Sequence, residues 1–261
     1  MQTLAKTGLW NPEYYYKHSS TQFDHANRLI NAYPFKGNEA ILDIGCGDGK
    51  ISANLASLVP EGRVIGLDCD LEALSFAQVT FSSEVHPNLR FMHGDITQID
   101  KLGNFDLIVS FSCLHFIRDQ LAALKNIKNN LKEDGKIILM LYRKCKYQWD
   151  ALDKVIEDEK WRQYFKNYDP GYYEYLPDTY QALLKTANLN QFKAEFTAEE
   201  KIHYESGEEF NKFIKGWLPH LNILPNQYYP EFLDLFRYEY FNNLNIDENK
   251  IDVPFRRLVV T

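Results

Sequence analysis

Asp43-Ile44-Gly45-Cys46-Gly47-Asp48-Gly49 decides the fold. It closes the apolar run Ala40-Ile41-Leu42-Asp43-Ile44, and Ile51, Leu55 and Leu58 then recur at helical spacing, so the stretch reads as strand, glycine turn and helix. Glycines in such a turn keep side chains out of a ligand's path and permit positive φ. A dinucleotide fingerprint, G-x-G-x-x-G, needs a third glycine where helix meets strand, and Lys50 stands there instead. The turn therefore predicts a nucleoside site of another kind.

Strand and helix keep alternating on the carboxyl-terminal side. Residues 63–68 read as a buried strand, followed by a helix with Leu71, Leu74 and Ala77 on one face. Residues 89–93, 105–111 and 135–142 supply three more strands, with a helix over 120–131 between the last two. This period implies a parallel sheet covered on both faces. Beyond it, 143–190 reads as mostly helical, 192–204 as a strand broken near Glu199, 206–246 as helices and 255–260 as a last strand. The expected organisation is one domain over 1–261. It comprises an amino-terminal helical segment (1–35), a nucleoside-binding core (36–142), a helical insertion (143–190) and late strands (191–261) with a helical cap at 206–246.

A chain of 261 residues that is 45% hydrophobic suffices for one large core. Its 29 Lys+Arg against 36 Asp+Glu give a net charge of -7, the wrong sign for a nucleic-acid partner. No window approaches eighteen uncharged apolar residues, which argues against membrane insertion, and MQTLAKTGLWNPEYYY lacks the apolar core and cleavage site of a secretion signal. A soluble, cytoplasmic protein is expected. Cys46, Cys69, Cys113 and Cys145 have no CxxC spacing, so no metal is expected, and they read as reduced, buried thiols. Most of the 17 Tyr and 17 Phe read as helix packing.

Three acids end successive strands. Asp43 is placed to accept from an ammonium group, and Asp68 to take both hydroxyls of a ribose. Asp95 in Gly94-Asp95-Ile96 is placed to accept from an adenine amino group, with Ile96 as an apolar wall. Each acid alone could serve as a turn or helix cap. Three in series point to one nucleoside that carries an ammonium group.

DIGCGDG, VIGLD, GDI and FDLIVSFSCLHF resemble, in order and spacing, the motifs of class I S-adenosylmethionine-dependent methyltransferases. The resemblance covers residues 40–142. It implies a Rossmann-like α/β fold, doubly wound, with a seven-stranded, mostly parallel sheet, the last strand (255–260) antiparallel, and a helical cap. It implies S-adenosylmethionine as cofactor and S-adenosylhomocysteine as product. It also implies cofactor contacts at Tyr15, Asp43, Gly45, Cys46, Gly47, Asp68, Cys69, Asp95, Ile96 and Ser110.

A narrower resemblance concerns the methyl acceptor. The stretch from Asn11-Pro12-Glu13 to Thr21-Gln22 is similar to the opening of juvenile hormone acid methyltransferases, and trans-aconitate methyltransferases begin in a related way. In the first family, and in plant carboxyl methyltransferases, the glutamine of this segment helps bind the acceptor carboxylate. The resemblance gives that role to Gln22, whose alternative is an exposed helix residue. The segment from Ser110 to Gln120 and the stretch Phe213-Ile214-Lys215-Gly216-Trp217-Leu218-Pro219-His220 resemble these families too.

One departure stands out. Where the family carries a tryptophan whose ring N–H holds a carboxylate oxygen, this chain has Phe116, which cannot donate. Gln22 and His115 are then the candidates for catalysis, with a packed structural histidine as the alternative for His115. Trp217, Tyr172 and Tyr173 read as pocket or, with the larger weight, as core. Arg143 and Lys144 are basic residues at a strand end that could meet a second carboxylate. The expected acceptor is a small carboxylic acid, already ionised at neutral pH (pKa ~4), whose methylation needs alignment rather than a base. Two alternatives stay open: a malonyl group on an acyl carrier protein, and a non-catalytic S-adenosylmethionine-binding module.

Overall fold

The computed structural model describes residues 11–247 and 250–261, so the first ten residues of the expected 1–35 segment lie outside the described residues. The helices α1 (Pro12–His18) and α2 (Ser20–Ile30) come first. Asn11 caps α1, its side chain accepting from the Tyr14 N–H at 2.8 Å, with Pro12 at the first helical position.

The parallel strands β1 (Ala40–Ile44), β2 (Arg63–Asp68), β3 (Leu89–His93), β4 (Phe105–Phe111) and β5 (Leu131–Tyr142) pair in the order β3-β2-β1-β4-β5. The helices α3 (Lys50–Leu58), α4 (Leu71–Thr80) and α5 (Gln120–Asn130) connect them. Strand order reverses between β1 and β4, the place where sheets of this class open a crevice at their carboxyl ends.

The pleat sorts the apolar residues. Leu42, Ile44, Ile108 and Leu139 pack on one face with Leu124 and Ile127 of α5 and with Tyr180 and Leu184 of α7 (Pro177–Thr186). Their neighbours Ile41, Leu107, Val109 and Met140 pack on the other face with Leu55 of α3 and with Ala26 and Ile30 of α2. Beyond β5 the chain forms α6 (Lys146–Glu157), then turns and irregular chain before α7, so the segment expected to be mostly helical is helical only at its two ends.

The late strands divide between two sheets. β6 (Ala194–Phe196) belongs to the main sheet, and β7 (Glu200–Tyr204) pairs antiparallel with β8 (Ile251–Phe255) in a small sheet of its own. β9 (Arg257–Val260) returns to the main sheet between β5 and β6, antiparallel to both. The last strand expected over 255–260 is β9, antiparallel in the main sheet as expected, while Phe255 closes β8 of the small sheet and Arg256 lies between them. Helices α8 (Gly207–Lys215) and α9 (Tyr229–Leu244) pack with α6 and the small sheet into a separate, ring-rich core around Trp161, Phe210, Phe232, Phe236 and Tyr240.

Two further expectations change. β5 begins at Leu131, not 135, because Leu131 pairs with Phe105 across a register shift although Lys132-Glu133-Asp134 carry no apolar signal. Of the four free cysteines only Cys46 is buried. Cys69 is exposed, and Cys113 and Cys145 are half-buried. No described helix is long and apolar enough to cross a membrane.

Candidate active site

A cavity of about 1140 Å³ opens at the carboxyl ends of β1 to β5, between the sheet and the helical cap. One half is built from backbone turns. Gly45, Gly47 and Gly49 have φ of +72°, +52° and +81°, and α3 starts at the last of them. A Cβ on Gly45 would lie 2.3 Å from Cys113 Sγ, whereas one on Gly47 would meet nothing within 4 Å. Gly45 is a packing glycine, and Gly47 leaves its space to the cavity.

Asp68 shapes this half as well as lining it. Its Oδ2 accepts from the Gly47 N–H at 2.8 Å and its Oδ1 from the Asp70 N–H at 2.9 Å, while Asp70 caps α4 through the Glu72 N–H at 2.8 Å. Burial pushes the Asp68 and Asp48 carboxyls above their ordinary values. Asp95 lines the next turn with its Oδ1 held by the Thr97 N–H at 2.8 Å and hydroxyl at 2.9 Å, and Ile96 is buried in the wall beside it. Cys46 and Cys69 line this half, and Pro12 and Tyr15 of α1 face the same cavity.

Two residues expected at the donor lie behind the wall rather than in it. Asp43 is not part of the wall: strand alternation turns its side chain, like that of Ile41, toward the helices, where it accepts from Ser52 Oγ of α3 at 2.6 Å. Burial there pushes its carboxyl up to about 7. Ser110 is also absent from the wall, because its hydroxyl donates to the Ile44 carbonyl at 2.8 Å and ties β4 to β1. In their place Asp48, Asp70 and Ser112 line the cavity. Ser112 has a left-handed φ of +58°, a conformation its sequence does not announce.

The other half of the cavity is largely aromatic: Phe116, Tyr142, Tyr172, Phe213, Trp217 and Phe255. Gln22 projects into it from α2, only 5% exposed rather than solvated. His115 sits with its ring 4.4 Å from Phe116 and 4.6 Å from Tyr172, and burial pulls its pKa down to about 3. Tyr172 and Trp217 serve both as wall and as packing for the cap core, whereas Tyr173 lies outside the wall, its hydroxyl accepting from Arg118 Nε at 2.9 Å.

Six buried polar atoms of wall residues have no protein partner: Gln22 Oε1, Asp48 Oδ2, Asp70 Oδ2, Ser112 Oγ, His115 Nδ1 and Trp217 Nε1. Buried polar groups are rarely left so, and a concentration around one cavity marks a site built for a polar ligand. Three of the cations near the mouth already have partners, while Arg256 of the lining donates, among the described residues, only to the Thr197 carbonyl, at 3.2 Å. Arg143 Nε donates to Glu174 at 3.3 Å, Arg118 Nη2 to Asp169 at 2.6 Å, and Lys144 lies 4.2 Å above the Trp149 ring.

Sequence reasoning passed over Asp48, Asp70, Ser112 and Tyr142. Asp48 lies within the quoted glycine turn, and Tyr142 ends a predicted strand, the position that sheets of this class turn toward ligands. Both therefore carried a usable signal.

Residues 35–211 match the family model described as "Methyltransferase domain". The chain is 28% identical over 258 residues to 235L of Invertebrate iridescent virus 6, whose own methyltransferase assignment is provisional; the match covers 97% of this chain and 94% of that one. It is 25% identical over 229 residues to juvenile hormone acid O-methyltransferase of Drosophila melanogaster, covering 84% and 77%. It is 30% identical over 132 residues to trans-aconitate 2-methyltransferase of Deinococcus radiodurans, covering 51% and 49%. Among solved structures, the YcgJ protein of Bacillus subtilis has the same fold, with a TM-score of 0.60 at 17% identity over 91% of this chain and 97% of that one.

Proposed function

The chain belongs to the methyltransferase domain family, and on that premise we propose that it esterifies the carboxylate of a small, apolar acid. It is a methyltransferase whose methyl donor is S-adenosylmethionine. Its residues fit that donor: the open face of Gly47, the Asp68 carboxylate, the unpartnered Oδ2 atoms of Asp48 and Asp70, and the Asp95-Ile96 turn offer acceptors and an apolar wall for a nucleoside with an ammonium group. When bound, that group supplies an electrophilic methyl on a positively charged sulfur. Asp43 supports this half indirectly, through Ser52 of α3.

The observation that carries the acceptor reading is Gln22. A glutamine on an amino-terminal helix would ordinarily be solvated, yet this one is buried in the wall at the aromatic end of the cavity. A side-chain amide can present N–H to a carboxylate oxygen and replace part of its hydration. His115 adds a single ring N–H, because burial holds it neutral at pH 7 and makes it a poor base. That weakness suits an acceptor with no proton to remove. A carboxylate already carries its nucleophilic lone pairs, so holding it in line and dry is the work left to the protein.

The surroundings argue for an apolar acid. Phe116, Tyr172, Phe213 and Phe255 face the acceptor with hydrocarbon, and Trp217 adds one unpartnered ring N–H. Arg143 and Arg118, which a second carboxylate would need, are engaged with Glu174 and Asp169.

The test is incubation with labelled S-adenosylmethionine and a panel of long-chain monoacids, dicarboxylates and malonyl-carrier protein. Methyl esters of the apolar monoacids are expected, and a clear preference for the dicarboxylates, or methylation of amines alone, overturns the reading. In Gln22→Ala, kcat/KM for the acid is expected to fall ~100-fold while donor affinity changes less than ~2-fold.

A further inference from the structure

We propose that Glu200 is a positioning residue that holds α2, and with it Gln22, at the acceptor end of the cavity. The proposal rests on the carboxylate reading for what Gln22 does, though not for how Gln22 is held. Glu200 opens β7, and its side chain joins three parts of the fold. Its Oε2 accepts from Arg28 Nη1 of α2 at 2.5 Å, and its Oε1 accepts from Arg257 Nη1 of β9 while also touching His25 Nε2 of α2. His25 reaches on: its Nδ1 lies 2.6 Å from the Tyr142 hydroxyl, at the end of β5 in the cavity wall. One carboxylate thus connects the amino-terminal helix, the small sheet of the cap and the main sheet.

Helical geometry turns this anchorage into a position for Gln22. Residues three apart on a helix share a face, so Gln22, His25 and Arg28 rise in succession along one side of α2. Pinning the second and third sets the helix's rotation and height, and those settle where the first points. Besides this ion cluster α2 is held by apolar packing at Ala26, Leu29 and Ile30, by a bond from Asn54 Nδ2 to Asn27 Oδ1 at 2.8 Å, by Thr21 beside Tyr204, and by Lys50 over the Phe23 ring. Apolar contacts allow a helix to slide more readily than a directed ion pair does.

The charges explain why a carboxylate is needed. Arg257 is 7% exposed and His25 2% exposed, with two guanidiniums converging on one acid. Without Glu200 the guanidiniums would face each other uncompensated, one of them buried, and α2 would be pushed from β9. Burial, with Arg257 and Arg28 nearby, holds His25 neutral, its pKa pulled down to about 4. The neutral ring then has a single N–H, and its two nitrogens lie beside Glu200 and the Tyr142 hydroxyl.

The experiment uses the full chain with Glu200→Gln, Glu200→Asp and Arg28→Met, the last at a side chain 60% exposed and therefore safe for folding. Amide hydrogen exchange over residues 20–30 is expected to quicken about tenfold in Glu200→Gln and less in the other two, with β1 and β4 unchanged. KM for the acid is expected to rise about tenfold with a smaller change in kcat and donor affinity intact. Adding Gln22→Ala to Glu200→Gln is expected to lower kcat/KM no further than Gln22→Ala alone. Unchanged exchange in α2, or fully additive losses in that cycle, overturns the proposal. If Glu200→Gln unfolds, Arg28→Met decides by the same exchange criterion. If the wild type esterifies no acid, the acceptor reading has failed, and the exchange result alone decides the place of Glu200.

Discussion

The Lys50 ammonium donates to the Tyr16 carbonyl at 2.6 Å and lies 4.4 Å above the Tyr16 ring. The residue standing where a dinucleotide site would have its third glycine thus reaches out and secures α1, which contributes Pro12 and Tyr15 to the cavity wall. Lys50→Met keeps the aliphatic stem and removes the charge-assisted bond. Donor affinity measured by calorimetry is expected to weaken about tenfold, with the unfolding midpoint moved little.

Gly45 and Gly47 are expected to respond differently to the same methyl group. Gly45→Ala sets a Cβ 2.3 Å from Cys113 Sγ at a φ of +72° and should destabilise the fold by about 3 kcal/mol. Gly47→Ala has only its left-handed backbone to strain, at about 1 kcal/mol, and its methyl enters the cavity. Urea unfolding should single out the first variant, and donor binding the second.

Asp68 can be tested by chemistry on both partners. Asp68→Asn is expected to weaken donor binding ~30-fold, and a donor analogue lacking both ribose hydroxyls should lose a similar factor on the wild type. The analogue should then bind variant and wild type almost alike. Equal further loss in the variant would show that Asp68 acts only through its bonds to the Gly47 and Asp70 N–H groups.

Stability should fall as pH drops from 7 toward 5. Burial lowers His25 to about 4, and His115 and His220 to about 3, so near pH 6 and below these rings take up protons only on unfolding. Each such proton lowers stability by about 1.4 kcal/mol per pH unit between the unfolded value, about 6.5, and the folded one. Asp43 acts in the opposite sense. Its pKa is raised to about 7, so the folded state holds the extra proton, and the stability this contributes is lost as pH rises through 7. The fall on acidification should steepen in Asp43→Asn, read from urea midpoints at pH 7, 6 and 5.

The first four strands were legible to the residue because β1, β2 and β4 are short, mostly apolar runs inside a parallel sheet, and β1, β2 and the edge strand β3 each run into a turn that carries Asp. What the runs hide is direction. Asp43 ends such a run and was expected in the cavity, yet alternation turns it to Ser52, while Asp48, inside the loop, takes a place in the wall. Ser110 was lost in the same way to a bond between strands. The late strands were blurred because a chain that leaves one sheet for another at Arg256 keeps the same apolar rhythm on both sides of the switch. Glu200 and His25 gave no local signal, since their partnership joins residues 175 positions apart.

The place of β9 has a consequence for biosynthesis. β9 lies between β5 and β6 but follows both along the chain. As the polypeptide leaves the ribosome, β6 emerges before the strand that joins it to the rest, and β5 waits with one edge unpaired. The glycine turn and its acids can assemble early in the nascent chain. The ion cluster beneath the acceptor chamber cannot, because Arg257 follows β1 to β8 along the chain. The donor's pocket is thus an early product of synthesis and the acceptor's a late one.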